Sequence, residues 1–346
     1  VDRLAFSAVF DIDKKSGAIK ERWFGKTIIN SDKRFTYEEA QEILSEAQNH
    51  PENSLYEHGG ASISPSLGRV SDKDDFGRVL SELDRIANIY RAENKKAGAI
   101  EFETEEVRFE LDKDGKPLRI YKKARIETMR MIEDWMLLAN REVAKFIGDA
   151  VIKRGGAGFY RVHDLPNVEK LESLGIFVKA LGLELDPRGD GISGKDLNIL
   201  LKSIEGHPSE SLIKTAAVRS MAKAVYSPNN IGHFGLAFDH YTHFTSPIRR
   251  YPDLIVHRIV EKHLKNEPVS KDEFAVYQNI ADLASEREVA VAEAERESIK
   301  YKQVEYMVSK VGQTFECIIS GVTEWGIYVE EPETRAEGMV RIRDLG

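Results

Sequence analysis

Hydrophobic and polar positions alternate with period two in "RLAFSAVFDI" and "AIKERWFGKTII", on either side of "DKKSG", and predict a β-hairpin over residues 1–30. "TYEEAQEILSEAQ" predicts a helix, with Thr36 as N-cap and Glu39 at the capping-box distance. Residues 48–73 are rich in Gly, Pro, Ser and Asn and read as a loop. Phe76, Val79, Leu80, Leu83, Ile86 and Ile89 then recur at helical spacing, a second helix over about 74–95. A second hairpin, "AIEFETEEVRFELDKDGKPLRIYKK", turns at Asp114-Gly115. Helical patterns dominate from there to about residue 263, broken at "GGAGFYRVHDLP" and "LDPRGDGISG". A long amphipathic helix over about 271–309 opens with Ser270 and Glu273 in a capping box. Near Val311 the period changes from 3.6 to 2, which marks a boundary between residues 1–310 and 311–346.

Composition adds limits. The 346 residues are 41% hydrophobic and 31% charged, a globular mixture with ample material for a core. No apolar run is long enough to cross a bilayer, and no signal-peptide pattern opens the chain. Cys317, the single cysteine, excludes an intramolecular disulfide framework and fits a reducing compartment, so the expected location is cytoplasmic. The net charge of −8 leans against a nucleic-acid binder, although a phosphate channel depends on local field. The chain starts at Val1 inside one strand-like run and stops inside another, which reads as a piece of a longer protein.

The densest candidate chemistry is "HYTHFTSPIRRYPDLIVHR". Pro247 and Pro252 restrict the backbone around Arg249 and Arg250, whose planar forks suit phosphate oxygens. Tyr241, Phe244 and Tyr251 offer faces for stacking on bases or sugars. The alternative is a helix N-terminus whose arginines pair with nearby acids. Five of the nine histidines lie between His233 and His263, and His240-x-x-His243 has metal-ligand spacing. No four-ligand zinc pattern accompanies it, so these histidines read as core or ligand-contacting side chains. Neither GxxxxGK[ST] nor GxGxxG occurs.

"HFGLAFDHYTHFTSPIRRYPDLIVHR" closely resembles the signature of the RNB family, exoribonucleases of the ribonuclease II and ribonuclease R type, with "IRRYPDL" nearer the latter. "VDRLAFSAVFDID", "MIEDWMLLAN", "FYRVHDLPNVEKLESL" and "ASEREVAVAEAERE" fall in the family's order. The resemblance implies an α+β fold and hydrolytic, processive 3′-to-5′ degradation of single-stranded RNA to nucleoside 5′-monophosphates with Mg²⁺ or Mn²⁺. It implies that Arg249 is the active-site arginine, neutralising charge that develops on the scissile phosphate. It extends RNA backbone and sugar contacts to Arg250, Tyr251, His243, Ser246 and Tyr241. Glu133, Asn140, Arg161 and His163 are further channel positions, and Glu295 lies near the RNA path; for these, structural helix contacts are the alternative. Protein partners are left open.

Two-metal hydrolysis needs converging carboxylates. The family draws them from an aspartate-rich motif that would lie upstream of "VDRLAF", so the principal ligands are expected before residue 1. Asp11-x-Asp13, "SDKDDFG", "DKDG" at 112–115 and "DPRGDG" read as turns or caps. "VGQTFECIISGVTEWGIYVEEPETRAEGMVRIRDLG" resembles the start of an S1 RNA-binding domain, an OB-fold, with Trp325 and Tyr328 at its aromatic positions and Arg341 where histidine is common. Two functions therefore stand at the level of sequence: an exoribonuclease of which this chain is an inactive piece, or a noncatalytic RNA-binding protein with a degraded RNB fold.

Overall fold

The computed structural model describes residues 1–49, 73–101, 106–185, 192–207, 209–267 and 269–345. It is an α+β chain. Strands β1 (Arg3–Ile12) and β2 (Ile19–Ile29) form the first hairpin, with Val9 opposite Trp23. Alternation places Phe6, Ala8, Phe10 and Phe24 on one face, which packs on helices α3 (Glu127–Arg154) and α7 (Tyr251–Leu264). Ile147 of α3 and Ile255, Ile259 and Val260 of α7 are fully or almost fully buried in that main core. Burial of each such side chain stabilises the fold by about 1.5–3 kcal/mol.

Helix α1 (Tyr37–Asn49) opens as its capping box requires: the Glu39 N–H donates to Thr36 Oγ1 at 3.1 Å, and the Thr36 N–H to Glu39 Oε2 at 2.7 Å. Helix α2 (Lys73–Ala97) follows, and Ile86, Tyr90 and Leu138 form a small core between α2 and α3. The loop expected at 48–73 falls almost wholly outside the described residues. Strands β3 (Val107–Leu111) and β4 (Pro117–Lys122) make the second hairpin, where Gly115 turns with φ 78°.

Helices α4 (Val168–Ala180), α5 (Gly194–Ser203) and α6 (Glu210–Ser220) bury Leu174, Val178, Leu197, Leu200 and Ile213 in a core of their own. Sequence periodicity missed the short pair β5 (Tyr160–Val162) and β6 (Val225–Ser227). Three residues are too few to show a period, and their pairing spans more than sixty residues.

Helix α8 (Lys271–Val308) runs about 57 Å at 1.5 Å per residue. Tyr277 and Ala281 anchor its first part in the main core. Residues 286–298 are exposed on every side. Near its end, Gln303 Nε2 donates to Thr334 O at 2.9 Å, which holds the antiparallel sheet of β7 (Ile318–Thr323), β8 (Gly326–Glu330) and β9 (Glu337–Arg341).

Candidate functional site

The arginine stretch is an irregular segment seated between α3, α7 and β5. Two helices tie it at Phe244. Asn140 of α3 accepts the Phe244 N–H at 2.9 Å and donates from Nδ2 to Tyr241 Oη at 3.2 Å, while His257 Nε2 of α7 lies 2.8 Å from Phe244 O. Asn140, Tyr241 and Phe244 are all buried. Their burial favours the structural alternative over RNA contact, and the ring of Phe244 lies between Phe6 and His257. Tyr251, at the first position of α7, is exposed.

Residues Ser246–Arg250 form a tight turn, with the Arg250 N–H donating to Ser246 O at 3.0 Å. The two arginines part company here. Arg250 pairs with Asp253 on the first turn of α7, its Nη2 2.9 Å from Oδ1 and its Nε also 2.9 Å from Oδ2, the latter an ion-pair contact and not an aligned hydrogen bond. Arg249 is exposed, and no other described residue makes a hydrogen bond or ion pair with its guanidinium. Pairing with acids therefore holds for Arg250, while the Arg249 guanidinium has no partner among the described residues.

Next to the turn lies a neutral aromatic floor. His243 Nδ1 is 2.8 Å from Tyr226 Oη, and the rings of His233 and His243 stand 5.3 and 5.6 Å from Tyr241. Burial pushes the His243 imidazole down to about 2, with Arg250 and Arg161 adding to the effect. His233 is held down at about 3, by burial and by neighbouring His163. Burial raises the Tyr226 hydroxyl to about 12. The floor thus carries no charge near neutral pH.

Arg161 on β5 stacks over Tyr226, 4.8 Å from the ring centroid, and pairs with Glu288 of α8 at 2.5 Å. His163 is buried with both ring nitrogens engaged: Nδ1 accepts the Gly235 N–H at 3.0 Å, so Nε2 carries the proton and donates to Ala222 O at 2.9 Å. These bonds favour the structural alternative over a channel contact for His163. Glu133 stands elsewhere, paired with Arg125 in a cleft of about 180 Å³ also lined by Arg91, Lys95, Arg130 and Phe238. Glu295 lies exposed on α8, two turns beyond Glu288.

Trp325 sits in the β7–β8 turn at 69% exposure, and Tyr328 is part-buried on β8 opposite Met339. Neither is brought to the arginine turn by any described contact. Sequence reasoning did not single out Tyr226, Glu288 or Asp253. The Arg250-x-x-Asp253 spacing was a readable signal for the last, since i,i+3 neighbours meet at a helix start.

The acids weighed as metal ligands do local work where they are described. Asp13 accepts the N–H groups of Lys15 and Ser16, and Asp112 those of Asp114 and Lys116. Residues 186–191, residues 71 and 72, and the side chains of residues 73–75 lie outside what is described. Among the described residues no three of His, Cys, Asp and Glu converge to hold a metal ion, so these side chains do not fit a divalent cation. His243 Nδ1 is shared with Tyr226 Oη.

The RNB domain family matches residues 1–266. Ribonuclease R of Aquifex aeolicus is 34% identical over 99% of this chain and 45% of its own length. Ribonuclease R 1 of Lactococcus lactis is 35% identical over 100% of this chain and 40% of its own. Among solved structures, Mycoplasma genitalium RNase R in complex with ribose-methylated single-stranded RNA superposes with a TM-score of 0.82 at 26% identity, over 99% of this chain and 50% of that one. The chain spans about half the length of the relatives it matches.

Proposed function

The chain belongs to the RNB domain family, and from that membership we propose that it is the phosphate-gripping part of a 3′-to-5′ hydrolytic exoribonuclease of the ribonuclease R type. Its substrate is single-stranded RNA, released as nucleoside 5′-monophosphates. The observation that carries the reading is Arg249: a guanidinium without a protein partner among the described residues, on a turn anchored by two helices, beside a floor of neutral rings.

Arg249 meets the scissile phosphate and neutralises the charge that grows on its oxygens as water attacks. A guanidinium suits this task because it stays charged and offers two parallel N–H donors. The turn presents it already in place, so little reorganisation accompanies the reaction. Arg161, held flat on Tyr226, supplies a second positive site along the strand's path. Hydrolysis in this family calls for a divalent cation, Mg²⁺ or Mn²⁺. The described residues supply no ligand set for it, and no step here runs through it.

Residues 311–346 act as part of an S1-type OB-fold module, separate from residues 1–310. Exposed Trp325 is its stacking face for RNA bases. The protein works in the cytoplasm.

The test uses the complete protein, 5′-labelled single-stranded RNA and Mg²⁺, with shortening followed on a denaturing gel and binding measured in parallel. Arg249→Ala is expected to lower turnover by about 10²-fold or more, while RNA affinity changes by less than about tenfold. Unchanged turnover sinks the role of Arg249. RNA binding without any shortening by the unmodified protein favours the noncatalytic reading.

A further inference from the structure

The turn that carries Arg249 belongs to no strand or helix, and its own hydrogen bonds are few: the N–H groups of Arg249 and Arg250 both converge on Ser246 O, at 3.3 and 3.0 Å. A five-residue turn closed by two such bonds would sample many conformations if nothing outside held it. Asp253 is the outside hold. Its side chain is fully buried, and its Oδ1 accepts the Ser246 N–H at 2.7 Å and Arg250 Nη2 at 2.9 Å. One carboxylate therefore grips both ends of the turn, its first backbone N–H and its last side chain. Between those two grips, Ile248 and Arg249 stand out in solvent.

The electrostatics point the same way. A fully buried carboxylate is costly unless paired, and Arg250 is its counter-ion. Arg250 is thereby occupied within the protein, and of the two adjacent arginines one is left for a ligand. His257, one helical turn after Asp253 on α7, holds Phe244 O and so fixes the segment that enters the turn. Helix α7 thus reads as a rack, with Asp253 and His257 as its two pegs.

Building on the role given above to Arg249, we infer that Asp253 is a positioning residue: with Arg250 as counter-ion, it sets where the Arg249 guanidinium meets the RNA phosphate, without touching RNA itself. Such a residue influences turnover through Arg249 alone. Its effect must vanish when Arg249 is absent.

A double-mutant cycle in the complete protein tests this, with single-turnover RNA shortening and RNA affinity measured for each form. Asp253→Asn keeps the acceptor for the Ser246 N–H but removes the charge that holds Arg250. It is expected to lower turnover about tenfold with RNA affinity altered less than about twofold. In the Arg249→Ala background the same change should add less than about a twofold loss. An equal loss in both backgrounds means that Asp253 acts on the fold at large, and overturns the inference while leaving Arg249 in its role. No loss from Asp253→Asn overturns it as well. If Arg249→Ala alone leaves turnover intact, the reading of Arg249 fails first and this one with it. Should Asp253→Asn not fold, Arg250→Lys takes its place in the same cycle under the same criteria, since lysine keeps the charge on the carboxylate but loses the two-pronged geometry.

Discussion

Asn140 makes one donor and one acceptor serve the loop, through Tyr241 Oη and the Phe244 N–H. Asn140→Ala leaves both groups buried and unsatisfied, at a cost of about 1–3 kcal/mol each. The expected outcome is a lower urea midpoint, and an unchanged midpoint would mean that the loop is held elsewhere. The histidines give a second residue-scale prediction. Burial lowers the imidazoles of His163, His233, His243, His257 and His263, whose ordinary value is about 6.5. Below that pH the unfolded chain binds protons that the folded chain refuses, so their contribution is full above about pH 6.5 and declines as pH falls toward the folded values. Asp84 and Asp134 are raised by burial, Asp134 to about 6, and act in the opposite sense, but they are outnumbered. Urea midpoints should therefore decrease from pH 7.5 to 5.5, and a flat profile would contradict the burial of these rings. At this scale the sequence named Arg249 and Arg250 together. Only the burial of Asp253 beside Arg250 separated them, because a run of residue types does not say which acid a fold brings within 3 Å.

Among the elements, α8 poses the plainest physical question. Its first part packs in the core and its last part holds the β7–β9 sheet, while residues 286–298 touch little protein. Helical stability in proteins comes mostly from an apolar face packed on a neighbour, and this stretch has none. Propensity must sustain it, and Ala290, Ala292 and Ala294 with five glutamates supply it. Amide exchange should accordingly be faster across 286–298 than at 274–284, and Ala294→Gly should cost about 1 kcal/mol there. Uniform protection along α8 would show that something covers the middle. The two ends of this helix were legible in sequence, the first from its capping box and the second from the change of period. Its bare middle was not, since burial depends on what lies across from a helix and not on the helix's own pattern.

At the scale of the whole chain the net charge is −8, so its overall field repels a polyanion. Attraction has to come from local cations such as Arg249, since Arg161 is paired with Glu288. Single-stranded RNA affinity should therefore fall with rising salt with a shallow slope, and Arg249→Ala should reduce that slope by about 0.7 in log–log units, the share of one phosphate contact. A slope unaffected by the substitution would remove Arg249 from the binding path. By itself the sequence determined the hairpins, the capped helices and the stretch that holds Arg249 and Arg250, set by periods and spacings that neighbouring residues impose on each other, while the α+β class came from the family resemblance. Tertiary structure alone decided that Tyr241, Phe244, Asn140 and His163 are buried supports, that Tyr226 and Glu288 flank Arg161, and that Arg249 is the arginine left free. Those outcomes depend on contacts between residues far apart in the chain, such as Arg161 with Glu288, 127 positions on. Local pattern carries no record of such distances, and packing does.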